Sequence, residues 1–286
     1  MTIEFQNYLS VLVEQPIQNI SPVSGGDISL AYKVKTEVKT YFLKVNRGKD
    51  ALTMFKTEKR GLKAIAKTQT ISVPKVYACD VFENEAFLLM DYIESKRPNT
   101  EDFSQLGKAL AELHQHTAEN FGLEEDNFIG SLPQSNRLHH SWIDFYTEER
   151  LLPQLQLAKQ QGLLSQNECP SESTMKENLG NLFLDIKPSL LHGDLWIGNY
   201  LISEEGIPYL IDPAVYYGHH EVDIAMSKLF GGFGSGFYEA YHTIHSRDSK
   251  TASRMDIYQL YYLLVHLNLF GRSYYSSVQS ILKKIF

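Results

Sequence analysis

Three side chains that could act on a substrate lie close together in the segment Leu190–Tyr200, which reads LLHGDLWIGNY. A carboxylate such as that of Asp194 can accept the proton of an attacking hydroxyl group. The neutral amide oxygen of Asn199, five residues later, can ligate Mg²⁺ without adding negative charge. His192 follows an apolar pair and is expected to hold the loop by hydrogen bonds rather than to react. The segment therefore predicts a catalytic loop with Asp194 as the proton acceptor.

The spacing of these residues and a second carboxylate together favour phosphoryl transfer. His192, Asp194 and Asn199 follow the order H-x-D-L-x-x-x-N, which is the spacing of the kinase catalytic loop. Asp212 ends the apolar run IPYLID, on the far side of a predicted hairpin whose turn is SEEG. A carboxylate at that strand end can bridge Mg²⁺ to nucleotide phosphates. Taken singly, Asp194 could cap a helix and Asn199 could occupy a turn. The pair of Asn199 and Asp212, separated by a hairpin, is a far more specific sign of a Mg²⁺ site than either residue alone.

Lys44 interrupts the otherwise apolar predicted strand YFLKV. It requires an anionic partner, because burying an unpaired ammonium group costs free energy. Glu58 on the following helix is the natural candidate. Together they would form the strand-lysine to helix-glutamate pair that orients ATP phosphates in kinases. The alternatives are an edge-strand lysine and a solvated helix face, and the neighbouring Lys56, Lys59 and Arg60 give the second alternative some weight.

Adjacent glycines occur between the first two predicted strands, in VSGGDISLAY (Val23–Tyr32). Because glycine has no Cβ, its backbone N–H group can approach a phosphate closely. We expect this segment to cover the nucleotide phosphates with Gly25, Gly26, Ile28 and Ser29. It is neither the protein-kinase G-x-G-x-x-G loop nor a Walker loop, and a plain Gly-Gly hairpin is the alternative. Asp27 is unexpected there, because a carboxylate repels phosphates unless it points away.

Composition narrows the class of protein. The chain has 286 residues, of which 43% are hydrophobic and 21% charged, as in ordinary globular proteins. Its net charge of −7 argues against nucleic acid as the main partner. Cys79 and Cys169 form no metal-type pair, which favours free thiols in a reducing compartment. The start MTIEFQNYLS lacks the features of a signal peptide, and no apolar run reaches membrane-spanning length. We therefore expect a cytoplasmic protein with no membrane partner.

The predicted secondary structure changes near residue 92. Before it lie the β-rich runs LAYKVKT, YFLKVN, KVYACDVF and AFLLMDYI, with one amphipathic helix that Gly61 should interrupt. After it, helices are expected at 103–117, 141–161, 174–187, 221–230, 236–246 and 255–271. This order predicts an α+β, two-lobed protein-kinase-like fold with a small β-rich N-lobe and a larger, mostly helical C-lobe. The ATP-binding lobe would span 1–91 and the catalytic and substrate-binding lobe 92–286.

On these motifs the chain resembles the fructosamine kinase (ketosamine-3-kinase) family, within the protein-kinase-like superfamily that includes aminoglycoside phosphotransferases. The resemblance covers nearly the whole chain. It rests on GGDIS with YFLKVN, WIDFYTEERLLPQL, LLHGDLWIGNYL, IDPAVYYGHHEVDIAMSKLFGGF and YYLLVHLNLFG. The signature of the superfamily is H-G-D-x-x-x-x-N. Four further features narrow the resemblance to this family: the tryptophan in HGDLW, the D-P-A, the E-x-D-I-A-M run and FGGF.

The resemblance implies ATP- and Mg²⁺-dependent phosphorylation of the sugar 3-hydroxyl of ketosamines. These are ribulosamine, erythrulosamine or fructosamine adducts, carried by a small molecule or a glycated protein. The unstable product would release the amine, which amounts to deglycation. The resemblance assigns Asp194 as proton acceptor, Asn199 and Asp212 as Mg²⁺ ligands, Lys44 and Glu58 as the phosphate-orienting pair, and Met90, Asp91, Tyr92 and Ile93 as the adenine-lining hinge.

The substrate side is predicted from two aromatic side chains. Trp196 follows the catalytic aspartate and could stack on a sugar ring, or it could pack the loop against a helix. His266 lies in a tyrosine-rich helix and could bond a sugar hydroxyl, or it could be a satisfied core histidine. Glu221 and Asp223, in HHEVDIAM, are expected to anchor the catalytic loop and a helix start rather than to react.

Two departures from related patterns bear on regulation. Asp27 stands where some relatives carry a cysteine, so thiol-based control through the glycine-rich loop is not expected. Asp212 is followed by Pro-Ala rather than Phe-Gly, and no A-P-E follows. A phosphorylated activation loop and protein kinase activity are therefore not expected.

Two other functions compete with the ketosamine kinase hypothesis. An aminoglycoside- or choline-type phosphotransferase has the same fold, and a pocket lined with carboxylates would favour it. A catalytically idle nucleotide-binding pseudokinase would be favoured by loss of Lys44, Asp194, Asn199 or Asp212. All four are present.

Overall fold

The computed structural model describes residues 1–23 and 29–286, which form an N-terminal and a C-terminal lobe. The N-terminal lobe contains an antiparallel sheet of five strands in the order β1-β2-β3-β5-β4. The strands are β1 (Asn19–Pro22), β2 (Leu30–Lys35), β3 (Thr40–Asn46), β4 (Val76–Phe82) and β5 (Glu85–Asp91). Helices α1 (Ile3–Leu12) and α2 (Ala51–Thr68) pack against the sheet. Strands β2 to β5 and helix α2 were predicted from the sequence, whereas β1 and α1 were not.

Strand β3 separates two apolar clusters, because its side chains alternate between the faces of the sheet. Leu43 and Val45 pack on the face that α1 covers. The opposite face carries Lys44 and is covered by α2, which contributes Phe55 and Leu62. This alternation directs Lys44 toward α2, the helix on which its predicted partner lies.

Helix α2 runs without a break through Gly61, so the predicted interruption is wrong. Gly61 is buried, and a Cβ at this position would lie only 3.0 Å from Cγ of Pro213. The absence of a side chain therefore serves a close approach between α2 and the segment after Asp212, and the backbone stays helical.

The C-terminal lobe is mostly helical. Its helices are α3 (Thr100–Leu113), α4 (Trp142–Tyr146), α5 (Leu152–Gln160), α6 (Glu172–Gly180), α7 (Glu221–Leu229), α8 (Ser235–His242), α9 (Thr251–Phe270) and α10 (Tyr275–Ile285). A π-helical turn, Thr147–Leu151, joins α4 to α5 in line with the predicted helix over 141–161. Helix α6 ends at Gly180 rather than near 187, and α10 was missed although Val278 and Leu282 form a buried one-turn repeat.

The C-terminal lobe contains three short strand pairs, two of which flank the segments of Asp194 and Asp212. The pairs are β8 (Ser189–Leu191) with β11 (Tyr216–Gly218), β9 (Tyr200–Ile202) with β10 (Pro208–Leu210), and β6 (Asn127–Ile129) with β7 (Leu132–Gln134). The β9–β10 pair is the predicted hairpin, which is confirmed. Strand β8 leads into the loop of Asp194 and β10 into Asp212, so both carboxylates follow a strand end.

The two lobes meet at the hairpin and at an irregular segment after β5. The backbone N–H of Leu210 donates to the carbonyl of Ser72 at 2.9 Å. Residues 92–99 have no helix or strand longer than a single bridge, and the division of functions between 1–91 and 92–286 stays a prediction. No helix in the described part of the chain is both long and apolar enough to span a membrane.

Candidate active site

Lys44, Glu58 and Asp212 form an ion cluster at the junction of the two lobes. Nζ of Lys44 lies 2.9 Å from Oε1 of Glu58 and also contacts Oδ1 of Asp212. The side chains of Lys44 and Glu58 are only 12% and 14% exposed, whereas that of Asp212 is 37% exposed. The structure thus brings together three residues that the sequence predicted, with Asp212 as the member open to solvent.

The charges within this cluster are set by burial and by mutual attraction. Burial lowers the pKa of Lys44, but the charges of Asp212 and Glu58 outweigh it and hold that pKa above its ordinary value. Burial, assisted by the charge of Asp212, raises the pKa of Glu58 to about 8 against the opposing effect of Lys44. Burial would raise the pKa of Asp212, but Lys44 keeps it lowered. Lys44 and Asp212 are therefore the firmly charged pair at neutral pH.

Asp212 has an unusual backbone conformation, with φ at +54°. Residues other than glycine rarely adopt this region, and they persist there only where the surroundings fix them. Hydrogen bonds on both sides do so here. The N–H of Ile211 donates to the carbonyl of Asn199 at 3.1 Å, and the N–H of Ala214 donates to the carbonyl of His192 at 2.8 Å. Asp212 is thereby held beside the loop that carries Asp194.

Asp223, at the start of α7, anchors the backbone of the catalytic loop. Its two carboxylate oxygens accept from the N–H groups of His192 at 2.7 Å and Gly193 at 2.9 Å. The hydroxyl of Tyr262 donates to the carbonyl of Gly193 at 2.8 Å. Gly193 has φ at +83°, and a Cβ there would overlap the carbonyl oxygen of Ala214. The sequence predicted Asp223 as an anchor, whereas Tyr262 was missed.

Asp223 is itself held by a buried chain of hydrogen bonds. Nε2 of His114 lies 3.0 Å from Oδ2 of Asp223, and Nδ1 of His114 lies 2.7 Å from the hydroxyl of Tyr241. His114 and Tyr241 were not predicted from the sequence, because they are distant in the chain and belong to no short motif. His192 bonds the carbonyl of Ile211 through Nε2 at 2.9 Å, so it holds the loop as expected.

Asp194 and Asn199 face each other across the loop. Nδ2 of Asn199 donates to the carbonyl of Asp194 at 2.8 Å and to its Oδ2 at 3.2 Å. Burial, with the negative charge of Asp212, raises the pKa of Asp194 to about 7, although the bond from Asn199 acts in the opposite direction. Asp194 is therefore a carboxylate that can hold a proton near neutral pH.

Asn199 and Asp212 supply a donor set that suits Mg²⁺. Because Nδ2 of Asn199 donates to Asp194, its Oδ1 is left to act as a ligand. Asp212 contributes a partly exposed carboxylate, and its segment is joined to Asn199 by the backbone bond from Ile211. Mg²⁺ prefers hard oxygen ligands and is commonly held by one or two protein groups together with phosphates and water. The residues present therefore fit such an ion.

Of the residues predicted to cover the nucleotide phosphates, Ser29 is described by the structure. Gly25, Gly26 and Ile28 are outside the described residues, as is Asp27. Oγ of Ser29 accepts from Nδ2 of Asn46 on β3 at 3.3 Å.

The predicted hinge follows β5. Met90 is buried, and the N–H of Asp91 donates to the carbonyl of Lys75 at 3.0 Å. The ring of Tyr92 has Nζ of Lys33 4.2 Å from its centroid, and Ile93 is partly buried. The amide of Asp91 is thus used by the sheet, while Tyr92 and Ile93 begin the irregular segment between the lobes.

Trp196 lies within the catalytic loop, and His266 lies among aromatic rings. Trp196 is partly buried, and a Cβ on Gly198 would lie 2.5 Å from its ring, so the loop folds closely over the indole. Nδ1 of His266 lies 2.8 Å from the carbonyl of Tyr262, one helical turn earlier. The ring of His266 lies 4.6 Å from that of Phe230, centroid to centroid. His266 therefore shares a face of α9 with Tyr262, which bonds the catalytic loop, and its role toward substrate stays a prediction.

The two-lobed fold and the cluster around Asp194 define a protein of the kinase-like class. Its family follows from comparison with known proteins. The chain matches the model of the fructosamine kinase family over residues 1–286, and it belongs to that family.

Known relatives resemble the chain over almost its full length. A Lactiplantibacillus plantarum protein named "Probable ketoamine kinase" is 40% identical over 97% of this chain and 98% of its own length. The chloroplast protein-ribulosamine 3-kinase of Arabidopsis thaliana is 40% identical over 93% of this chain and 82% of its own. A Haemophilus somnus structure, provisionally named fructosamine-3-kinase, has a TM-score of 0.89 at 30% identity, covering 99% and 96% of the two chains.

More distant structures share the fold alone. An aminoglycoside phosphotransferase solved with ADP and hygromycin B has a TM-score of 0.63 at 15% identity, with 97% of each chain covered. The predicted α+β, two-lobed protein-kinase-like fold and the predicted family are both confirmed.

Proposed function

We propose that this protein transfers the γ-phosphoryl group of ATP to the sugar 3-hydroxyl of ketosamines. Membership of the fructosamine kinase family and the names of the ketoamine and ribulosamine kinase relatives support this reaction class. The observation that carries the proposal is a set of hydrogen bonds at Asn199: its carbonyl accepts from the N–H of Ile211, next to Asp212, and its Nδ2 donates to Oδ2 of Asp194. Asp212 in turn contacts Nζ of Lys44. One site then presents a proton acceptor and a phosphate-binding cation.

In this reaction Asp194 accepts the proton of the sugar 3-hydroxyl while the sugar oxygen attacks the γ-phosphorus. The bond between that phosphorus and the ADP oxygen breaks, and ADP leaves. A carboxyl with a pKa near 7 is a better base than an ordinary aspartate and is still ionised in part at neutral pH. Lys44, oriented by Glu58, holds the nucleotide phosphates.

Asn199 and Asp212 are the residues that we propose to hold Mg²⁺. When bound there, the ion would neutralise negative charge on the nucleotide phosphates. The amide of Asn199 has a second task in this scheme, since its Nδ2 bond to Oδ2 of Asp194 keeps that carboxylate pointed into the site.

The nucleotide and substrate contacts extend this proposal. The aminoglycoside phosphotransferase of the same fold binds ADP, which supports a nucleotide in the equivalent place between the lobes. We assign the adenine to Met90, Asp91, Tyr92 and Ile93, and the phosphates to the segment of Gly25, Gly26, Ile28 and Ser29. Trp196 and His266 are assigned to the ketosamine, which is carried by a small molecule or a glycated protein. The cytoplasmic location stays a prediction.

The test is ATP consumption with Mg²⁺ against ribulose-lysine, erythrulose-lysine, fructose-lysine, kanamycin and choline. Asp194→Asn removes the base, and Asp185→Asn is the matched control, because Asp185 is an exposed carboxylate in the loop after α6. Phosphorus NMR of the product identifies the oxygen that receives the phosphoryl group. We expect turnover on at least one ketosamine in wild type and Asp185→Asn, and its loss in Asp194→Asn.

Other outcomes assign the protein differently. Turnover on kanamycin or choline alone would keep the mechanism but reject ketosamines as the substrate. Binding of ATP without turnover on any compound would reject the enzyme proposal in favour of a nucleotide-binding pseudokinase. Turnover on a ketosamine that survives Asp194→Asn would reject Asp194 as the base.

A further inference from the structure

The third strand pair of the C-terminal lobe, β6 with β7, carries two buried amide side chains that take no part in the proposed reaction. Asn127 and Gln134 are opposite each other in the register of this hairpin, so their side chains lie on the same face of it. They are only 6% and 3% exposed. Because burying a polar group costs free energy unless it is hydrogen-bonded, each amide needs partners inside the protein.

The two amides form a chain of hydrogen bonds that ends at the segment after Asp212. The hydroxyl of Tyr261, on α9, donates to Oε1 of Gln134. Nε2 of Gln134 donates to Oδ1 of Asn127 at 2.7 Å, and Nδ2 of Asn127 donates to the carbonyl of Val215 at 2.8 Å. Every bond runs in the same direction, from the hydroxyl to the carbonyl. Turning over either amide would place two oxygens against each other, so the chain has one arrangement.

A buried guanidinium group connects the end of the hairpin with the same segment. Arg150, in the π-helical turn, is fully buried. Its Nη1 donates to the carbonyl of Ser135 at 2.5 Å and its Nη2 to Oδ1 of Asn136 at 2.7 Å, directly after β7. Its guanidinium carbon lies 4.0 Å from the ring centroid of Tyr216, a distance at which a cation is attracted to an aromatic face. The hairpin is therefore tied to residues 215 and 216 by two separate contacts.

These contacts extend the backbone restraint on Asp212. Its φ of +54° persists only where the surroundings fix it. The N–H of Ala214 is bonded to the catalytic loop, and the carbonyl of Val215, one residue later, is bonded to the hairpin. Helix α9 supports both parts of the site through adjacent residues, because Tyr262 bonds the loop of Asp194 and Tyr261 begins the chain to Val215.

We propose that the β6–β7 hairpin holds Asp212 where its carboxylate can ligate Mg²⁺, with Asn127 as a positioning residue that acts through Val215. This role rests on the proposed function, in which Asn199 and Asp212 hold the ion. Removing a group that orients a metal ligand without touching the metal commonly lowers metal affinity or activity by about 10–100-fold. Asn127 acts on Asp212 through the backbone, so we expect an effect at the lower end of that range.

The test is calorimetric titration with ADP in Mn²⁺ and in EDTA, at a temperature where every variant is folded. Mn²⁺ takes the same oxygen ligands as Mg²⁺, and ADP allows no turnover. The Kd in EDTA divided by the Kd in Mn²⁺, called the metal ratio below, measures what the ion contributes to nucleotide binding. Asp212→Asn shows how much of the metal ratio depends on the proposed ligand.

Asn127→Leu keeps the approximate size of the side chain and removes both of its hydrogen bonds. Asn268→Leu is the matched control, because Asn268 is also a buried amide that bonds a glutamine and a backbone carbonyl. Its Nδ2 donates to the carbonyl of Gln154 at 3.0 Å and to its Oε1 at 2.8 Å, on α5 rather than beside Asp212.

We expect both leucine variants to unfold at a lower temperature than wild type, because each loses buried hydrogen bonds. The metal ratio should fall roughly tenfold in Asn127→Leu and stay within about twofold of wild type in Asn268→Leu. Equal metal ratios in the two leucine variants, with a lower one in Asp212→Asn, would overturn the role of the hairpin alone. A wild-type metal ratio in Asp212→Asn would overturn the proposed metal site and, with it, the role of the hairpin.

Tyr261→Phe tests the same chain with a smaller change, should Asn127→Leu fail to fold. It keeps the ring and removes only the hydroxyl that donates to Gln134. Tyr146→Phe is its control, because it loses a buried hydroxyl that donates to the carbonyl of Ile257 at 3.2 Å, outside the chain. The metal ratio should fall several-fold in Tyr261→Phe alone, and equal ratios in the two phenylalanine variants would also overturn the proposal.

Discussion

Replacing Asp194 with asparagine should abolish activity and at the same time stabilise the fold. Burial and the charge of Asp212 raise the pKa of Asp194 from 3.8 to about 7. The folded state therefore disfavours the ionised carboxylate that the reaction requires. Asparagine has nearly the same shape, keeps a hydrogen-bonding partner for Asn199, and cannot ionise. The substitution thus separates the contribution of Asp194 to catalysis from its effect on stability.

The size of the stabilisation follows from the pKa. A rise from 3.8 to about 7, at ~1.4 kcal/mol for each unit of pKa, corresponds to ~4 kcal/mol. The Asp194 side chain is only partly buried, so solvent screens its charge. Screening reduces the destabilisation to ~2 kcal/mol, which corresponds to roughly 4 °C in unfolding temperature. The folded pKa lies above the unfolded one, so wild-type stability is lost as pH rises from about 4 to 7. The advantage of Asp194→Asn should therefore grow between pH 5 and pH 8.

The assay is chemical and thermal unfolding at pH 5, 6, 7 and 8 in EDTA, which keeps divalent cations from masking the charge of Asp212. Asp185→Asn is the control and should show no such pH trend. In parallel, kcat of Asp194→Asn with Mg²⁺ should fall by roughly 10²–10⁴, the usual contribution of a general base, while ATP affinity stays within a few-fold. The reasoning fails if the variant is less stable than wild type at pH 8, or if the stability difference does not change with pH.

Three further substitutions, together with Gly162→Ala as a control, test the neighbouring contacts. Lys44→Met removes the cation between Glu58 and Asp212, so ATP binding measured by calorimetry should weaken by roughly 10–100-fold. Unchanged ATP affinity would contradict the assignment of Lys44 to the nucleotide phosphates. Gly193→Ala places a Cβ against the carbonyl of Ala214 at φ +83° and should lower urea stability by more than ~2 kcal/mol. Gly162→Ala, with open space at φ +68°, should lose only ~1 kcal/mol, and equal losses would refute the packing argument. Asp223→Asn places an NH₂ donor opposite one of the buried loop N–H groups that Asp223 now accepts from. The substitution should lower the stability of the fold by ~1–3 kcal/mol and lower kcat more than it changes KM for ATP. A kcat at wild-type level would show that the loop needs no such anchor.

The sequence predicted the elements whose residues have a strong local pattern. Strands β2 to β5 consist of short runs rich in apolar residues, and α2 repeats apolar residues at helical spacing. Strand β1 and helix α1 have weaker patterns. Of the helix, only Phe5 and Leu9 are buried, and β1 ends in a proline at the edge of the sheet. Their structure depends on packing against β2 and the sheet, which a local pattern does not contain.

The same distinction applies to the candidate site. Asp194, Asn199 and Asp212 were found because phosphoryl transfer requires fixed residue types at short spacing. The groups that position them were partly missed, since they come from distant parts of the chain. Tyr262 on α9 bonds the loop directly, whereas His114, just after α3, and Tyr241 on α8 act through Asp223. Gly61 was misjudged for a related reason: glycine in a helix usually weakens it, and only the three-dimensional structure shows Pro213 against its backbone.

The contact between Gly61 and Pro213 has a consequence for regulation. In protein kinases, the position of the helix that carries the glutamate decides whether the lysine–glutamate pair forms. Here the corresponding helix α2 lies directly against the residue after Asp212, and the Lys44–Glu58 pair is already formed. Asp212 in turn is fixed by backbone bonds at Ile211 and Ala214. The Pro-Ala sequence after Asp212 therefore takes part in packing that assembles the cluster, and the absence of control by a phosphorylated activation loop stays a prediction.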